Sequence, residues 1–259
     1  MKQVITKTFL IFAFVQIAAL LLGTKFIQQS VSFVQNSAST DNSFILFATI
    51  VVFAVILLVV LKYYKGKILF RLLELLMQFT AIQLLLALFF AFPIPEIVAI
   101  IGIAIRLKWP ETRQYFLIAT VIVVGALLGS SLDVLPAAIL ATLLAIYDVV
   151  AVFYTKHMVT LAKNLNQREA AFSLKITGNK EKLELGTGDL VIPAMLIVAA
   201  NKVGIKILLF SLPAVFGLIG SILGIGILLW FLEKHRGYWP ALPPITLGTL
   251  LGIGIAMLL

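Results

Sequence analysis

Cysteine is missing from all 259 positions, which removes disulfides, thiol nucleophiles and cysteine-ligated zinc from consideration and leaves the redox compartment open. Histidine is nearly absent as well. His157 and His235 are the only two, and no His-Glu-x-x-His pattern occurs. Ser130 and Ser131 have no histidine in their own apolar run to act as a base. Both histidines read as headgroup-facing groups. Charge is scarce, at 12% of residues, so an ordinary soluble surface cannot be built. A net charge of +9 could suggest nucleic acid, but the lysines and arginines sit in short blocks between apolar runs, where they meet anionic lipid headgroups instead. No nucleic-acid partner is expected.

Long hydrophobic runs fill the space that charge leaves. Hydrophobic residues make up 62% of the chain and the mean hydropathy is +1.13, so lipid is the expected solvent. A membrane helix needs about 20 apolar residues to cross about 30 Å of hydrocarbon, which allows roughly eight or nine spans at this length. The first run, Val4 to Gly23, lacks a clear small-residue cleavage site before Lys25 and reads as a span rather than a signal peptide. Further runs cover Phe44 to Leu61, Leu69 to Phe92, Tyr115 to Leu132, Val134 to Thr155, Ile207 to Leu232 and Leu242 to Leu259. Two shorter runs, Ile94 to Ile105 and Leu190 to Ala200, are spans or re-entrant segments on hydropathy alone.

Charge placement decides between those readings. With nine spans, 17 basic residues fall on one side, against Lys25, Lys202 and Lys206 on the other. By the positive-inside rule the N-terminus and the sixth loop are cytoplasmic and the C-terminus is outside. The expected architecture is therefore an all-α polytopic membrane protein of nine transmembrane helices. It forms one membrane domain over residues 1–259, with five helices in 1–133 and four in 134–259. Arg106, Lys108 and Arg113 read as interfacial anchors, and Asp133 sits in a short outer turn.

The only long loop, residues 156–188, carries a period-two pattern in its second half. Phe172, Leu174 and Ile176 alternate with polar neighbours, Gly178-Asn179 signals a turn, and Leu183 and Leu185 alternate again, which predicts a weak β-hairpin. It is either a solvated flap or an edge that pairs with an unwound substrate strand. Leu174, Leu183 and Leu185 are the candidate substrate-binding residues on the second reading.

Two carboxylates stand out against this background. A charge inside the bilayer costs a few kcal/mol or more, so an aspartate there is a functional candidate. Asp148 lies seven residues before the end of its run, roughly 10 Å deep, among the apolar neighbours Leu144, Ala145, Ala151 and Val152. The bland alternative is a packing hydrogen bond to a neighbouring helix. Asp189 opens the next run and approaches from the same side through the cytoplasmic loop, so the two can meet. Gly186-Thr187-Gly188 precedes it, and glycines permit close backbone approach. Pro240-Ala241-Leu242-Pro243-Pro244 opens the last run, where prolines either keep the chain from regular helix or simply mark a helix start.

Tyr147-Asp148, Gly186-Thr187-Gly188-Asp189 and Pro240-Ala241-Leu242, in this order and spacing, resemble the presenilin and signal peptide peptidase family of intramembrane aspartyl proteases. The stretch Leu185 to Pro193 is most similar to signal peptide peptidases, whereas the charge-derived orientation looks like that of presenilins. The resemblance implies nine spans, Asp148 and Asp189 as the catalytic pair in the C-terminal half, and a part for Tyr147, Gly186, Gly188, Pro240, Ala241 and Leu242 in shaping the site. It implies a peptide hydrolase acting on transmembrane or signal-peptide-like segments of other proteins, with no metal and no cofactor. The short chain looks like a microbial homologue that acts without accessory subunits; a homo-oligomer stays open.

Two carboxylates a few Å apart do not both ionise easily, so such a pair shares a proton and supplies one base and one acid. Paired membrane carboxylates also serve proton- or cation-coupled transporters and leak channels. Against that, no internal repeat is visible. A helix-packing scaffold is a third reading, for which Gly125/Gly129, Gly220/Gly224 and Gly248/Gly252 provide three small-residue faces.

Overall fold

The computed structural model describes residues 2–64, 66, 68–154, 173–177, 182–207, 209–234 and 239–259. His157, His235, Phe172 and the Gly178-Asn179 turn lie outside them. Among the described residues the chain forms nine α-helices: α1 (Lys2–Gln28), α2 (Asp41–Tyr63), α3 (Ile68–Ala87), α4 (Ile94–Lys108), α5 (Arg113–Ser131), α6 (Val134–Val149), α7 (Thr187–Ala200), α8 (Leu212–Lys234) and α9 (Leu242–Leu258). Two small antiparallel hairpins join them, β1 (Ser173–Thr177) with β2 (Lys182–Gly186), and β3 (Lys206–Ile207) with β4 (Phe210–Ser211). Six helical segments are long and apolar enough to cross a membrane, while α7 and α9 are shorter apolar helices.

The short helix α7 is the centre of the molecule. From Ile192 to Ala200 every residue is buried, because α1, α5, α6, α8 and α9 all pack around it. A fourteen-residue helix that is apolar on all sides suits a site enclosed by other helices. Small residues let the neighbours come close: a Cβ on Gly129 would stand 2.6 Å from the Met195 carbonyl oxygen, and one on Gly125 2.8 Å from the Ala194 Cβ. Close packing of small faces is a main source of helix association where no water drives it. The same device joins α8 to α9, where Gly220 and Gly248 meet backbone to backbone.

The C-terminal end of α7 is tied to the α5–α6 turn by Lys202, whose Nζ donates to the Leu132 carbonyl at 2.9 Å and to Asp133 Oδ1 at 3.3 Å. Burial pushes the Lys202 ammonium down from the usual lysine range, and Asp133 opposes that shift. At the periphery, α2 packs on α6, where Ser43 Oγ donates to the Pro136 carbonyl at 2.8 Å.

The α3–α4 pair departs from the sequence expectation. Arg106 is not a lipid-facing anchor: it is 3% exposed and donates through Nη2 to Glu74 Oε1 at 2.7 Å and through Nε to Gln78 Oε1 at 3.1 Å. Arg113, at the start of α5, also binds the Glu74 carboxylate. The reason is that Glu74, itself 2% exposed, needs compensating charge inside the helix layer, and an arginine satisfies a carboxylate there better than a lipid headgroup can. Lys108 behaves as an interfacial side chain, with its ammonium 5.0 Å from the centre of the Trp109 ring.

Candidate active site

Helix α6 delivers Asp148 near its C-terminal end, 7% exposed and flanked by the buried Leu144, Ala145 and Ala151. Immediately beyond, Val150–Tyr154 widens into a π-helical turn, with the Val150 N–H shared between the Ile146 and Tyr147 carbonyls. Such local widening is frequent beside functional side chains because it re-aims them within a helix. Tyr147 sits next to Asp148 and packs edge-on against Phe47 of α2, with ring centroids 6.4 Å apart.

Asp189 arrives by a different route. The strand β2 ends at Gly186, which is also the residue before the first turn of α7, so hairpin and helix meet without a connecting loop. Asp189 is the third residue of that helix, and its Oδ2 accepts the Gly186 N–H at 3.2 Å. A carboxylate at this position satisfies one of the unpaired donors of a helix start, which is why the helix begins three residues earlier than the apolar run. The aspartate that hydropathy leaves at the membrane edge is thereby drawn inside the helix, where it lies within the electrostatic field of Asp148.

The start of α9 completes the arrangement. Pro240, Ala241 and Leu242 are all buried, and the Leu242 N–H donates to Asp148 Oδ2 at 3.2 Å, with the Ala241 N–H also directed at that carboxylate. Regular helix begins at Leu242 despite Pro243 and Pro244. Of the two readings of the proline motif, the ordinary helix start holds: first-turn residues have no helical acceptor for their N–H groups, so prolines there lose nothing. A helix N-terminus facing a carboxylate is electrostatically favourable.

The two glycines of the Gly-Thr-Gly-Asp stretch differ. A Cβ on Gly186 would stand 3.0 Å from Asp189 Oδ2, so that position is filled from within the chain. One on Gly188 would meet nothing within 4 Å among the described residues. The open side of Gly188 is therefore space beside Asp189 that none of the described residues fills. Thr187 also lines a small cleft, largely apolar, whose other walls include Glu74, Gln78, Thr120 and Val191.

The hairpin leucines pack inward against helices. Leu174 and Ile176 pack with Val4 of α1 and Ile118 of α5, and Leu185 joins Phe12, Leu190 and Leu229 in an apolar cluster. Leu174 pairs with Leu185 across the strands. What the hairpin presents outward is backbone and the alternate polar side chains.

Sequence reasoning missed the Glu74–Gln78–Arg106–Arg113 cluster and Gln16, a fully buried amide on α1. The signal was present in both cases, as isolated polar residues within apolar runs. Among the described residues no group of three or more carboxylate or histidine side chains could hold a metal ion.

A family model described as signal-peptide peptidase, presenilin aspartyl protease matches residues 9–259. Two solved structures of a presenilin-family intramembrane aspartate protease are similar to the chain. One, in a C222 crystal form, has a TM-score of 0.76 at 25% identity and covers 98% of both chains. The other, in a P2 form, has a TM-score of 0.69 at 27% identity and covers 96% of both. No curated protein matches the sequence.

Proposed function

The chain belongs to the signal-peptide peptidase and presenilin family of aspartyl proteases, and from that premise we propose that Asp148 and Asp189 are the pair through which it hydrolyses peptide bonds. It is an integral, multi-pass membrane endopeptidase of the aspartic class. One observation carries the assignment of residues. The two aspartates come from different helices, stand within each other's field, and are each held by a backbone N–H at a helix start, Asp148 by Leu242 and Asp189 by Gly186.

The chemistry follows from two carboxylates sharing one proton. The ionised member takes a proton from a water that attacks the scissile carbonyl carbon, and the protonated member donates a hydrogen bond to the developing oxyanion. Collapse of the tetrahedral intermediate breaks the C–N bond, and the leaving amine takes up a proton. Tyr147, Gly186, Gly188 and Pro240 to Leu242 shape the site around the pair. The substrate is a transmembrane or signal-peptide-like segment, which must unwind first, because helical backbone is hydrogen-bonded and closed to attack. An unwound strand can pair with the edge of the β1–β2 hairpin, whose buried Leu174 and Leu185 and partly buried Leu183 fix its position.

All nine helices cross the membrane in this reading, as one domain, with the N-terminus and the hairpin on the cytoplasmic side and the C-terminus outside. The 17-to-3 division of basic residues supports that orientation. So does the pairing of Lys108 with Trp109 and Lys234 with Trp230, at helix ends that fall on the same side. The chain acts without accessory subunits.

The test is cleavage of a single-span substrate by purified protein in detergent, with Asp148→Ala and Asp189→Ala alongside wild type. Product from wild type alone is expected. Equal cleavage by either variant overturns the assignment.

A further inference from the structure

Between Phe9 and Leu22, helix α1 carries a single polar side chain, Gln16. It is 0% exposed, and its Nε2 donates to the Leu190 carbonyl oxygen at 3.1 Å, across 174 residues of sequence. Leu190 is the residue after Asp189. One buried amide of the N-terminal helix thus grips the backbone of the turn that carries one of the two aspartates.

That turn is short of internal support. Pro193 lies inside α7 and has no N–H, so the Asp189 carbonyl four residues earlier receives no helical hydrogen bond. Its neighbour, the Leu190 carbonyl, is the one that Gln16 holds. Two turns further along α1, Gly23 lies flush against the Val198 side chain. Helix α1 is therefore seated on α7 both by close packing, tightest at Gly23, and by a directed hydrogen bond at Gln16. Only the second has an orientation to impose. The other amide atom, Gln16 Oε1, is buried without a hydrogen-bond partner among the described residues. A glutamine retained there at the expense of an unpaired oxygen is a poor choice for packing alone, since a leucine or methionine would fill the space.

We propose that Gln16 is a positioning residue for the aspartate pair, fixing through the Leu190 carbonyl the rotation and depth of the first turn of α7 and hence the setting of Asp189 toward Asp148. The inference rests on the reading of those aspartates as the hydrolytic pair. A dyad that shares one proton depends on its separation, and a displacement of about 1 Å can cost on the order of a hundredfold in rate. Ordinary interhelical glue behaves differently: such a hydrogen bond adds modestly to the stability of the folded protein and leaves the pH profile of a pair it does not position unchanged.

The experiment uses the full chain in detergent with a single-span substrate, comparing wild type with Gln16→Met and Gln16→Glu. Gln16→Met keeps length and apolar volume but has no donor. It is expected to lower kcat about tenfold at nearly unchanged KM, and to move the limbs of the kcat–pH profile, as expected for loss of an interaction made in the transition state. Its thermal midpoint should stay near that of wild type. Gln16→Glu donates to the Leu190 carbonyl only when protonated, so its activity should recover toward wild type on the acid side alone. A Gln16→Met profile that superimposes on wild type with kcat within about twofold overturns the proposal. So does a loss of rate that merely tracks the folded fraction. Asp148→Asn and Asp189→Asn are run in parallel: if they cleave, the dyad itself is wrong, whereas inactive aspartate variants beside a wild-type-like Gln16→Met dispose of the Gln16 proposal only.

Discussion

The Leu242 N–H donates to Asp148 Oδ2 at 3.2 Å, so the first backbone donor of the last helix is spent on an aspartate 94 residues earlier in the chain. The contact separates two consequences of mutation. Asp148→Asn keeps an oxygen in the acceptor position while removing the acid–base group, and should abolish cleavage at every pH with little change in thermal midpoint. Asp148→Ala leaves the Leu242 N–H buried and unpaired, and should be about 1–3 kcal/mol less stable than the asparagine variant. Unfolding midpoints of the two purified variants in one detergent decide the matter; equal midpoints would mean that the hydrogen bond adds nothing.

Gly188 offers a cleaner test of substrate space. A methyl group there meets none of the described residues within 4 Å, and alanine replaces glycine within a helical turn. Gly188→Ala should therefore fold as well as wild type, or better by up to about 1 kcal/mol. If a substrate strand must lie against that glycine, the same substitution raises KM or abolishes cleavage. A variant with unchanged stability and unchanged kcat/KM would show that the open side of Gly188 is not used.

The contrast between these positions and the N-terminal half marks how far the sequence could be read. Asp148 and Asp189 stand out in the sequence because each sets a carboxylate in or against an apolar run, and the motifs around Gly186 and Pro240 because of their order and spacing after Asp148. The β1–β2 hairpin was legible from the alternation of Leu174, Ile176, Leu183 and Leu185, although not the burial of those leucines, which depends on which helices they meet. Glu74 and Arg106 were harder. The glutamate lies in one run and its partner near the end of another, and nothing in either run fixes their pairing; an arginine beside Trp109 looks like any interfacial anchor. The length of α7 was misjudged for a related reason, since Asp189 counts against a span in hydropathy yet favours a helix start through its bond to Gly186.

Glu74 yields a stability prediction that charge counting alone would not. Its carboxylate binds Arg106 and Arg113, and with Arg106 it is almost fully enclosed, the two side chains being 2% and 4% exposed. Removing one partner of such a pair leaves uncompensated charge, so Glu74→Ala should cost about 3–5 kcal/mol. The double variant Glu74→Leu, Arg106→Met should recover most of that loss, because apolar residues of similar volume replace a buried ion pair at little cost. Arg113→Met should be milder than Arg106→Met, its side chain being 24% exposed. Thermal unfolding of the four variants in detergent tests the order; a double variant as unstable as Glu74→Ala would refute it.

The seam between α8 and α9 connects stability to the site. A Cβ on Gly220 would fall on the Gly248 carbonyl group, and one on Gly252 on that of Phe216, so neither helix can yield without the two moving apart. Helix α9 begins at Leu242, whose N–H reaches Asp148, and a spread seam would draw that donor away from the carboxylate. Gly220→Ala should therefore lower stability by about 1–3 kcal/mol, the usual cost of overpacking, and reduce kcat beyond what the folded fraction explains. Gly254→Ala on the partner helix α9 is the control, because a Cβ there meets none of the described residues within 4 Å and leaves both properties unchanged. Cleavage per folded molecule, measured for the two variants side by side, separates a seam that only holds the helices together from one that also sets the position of the last helix against Asp148.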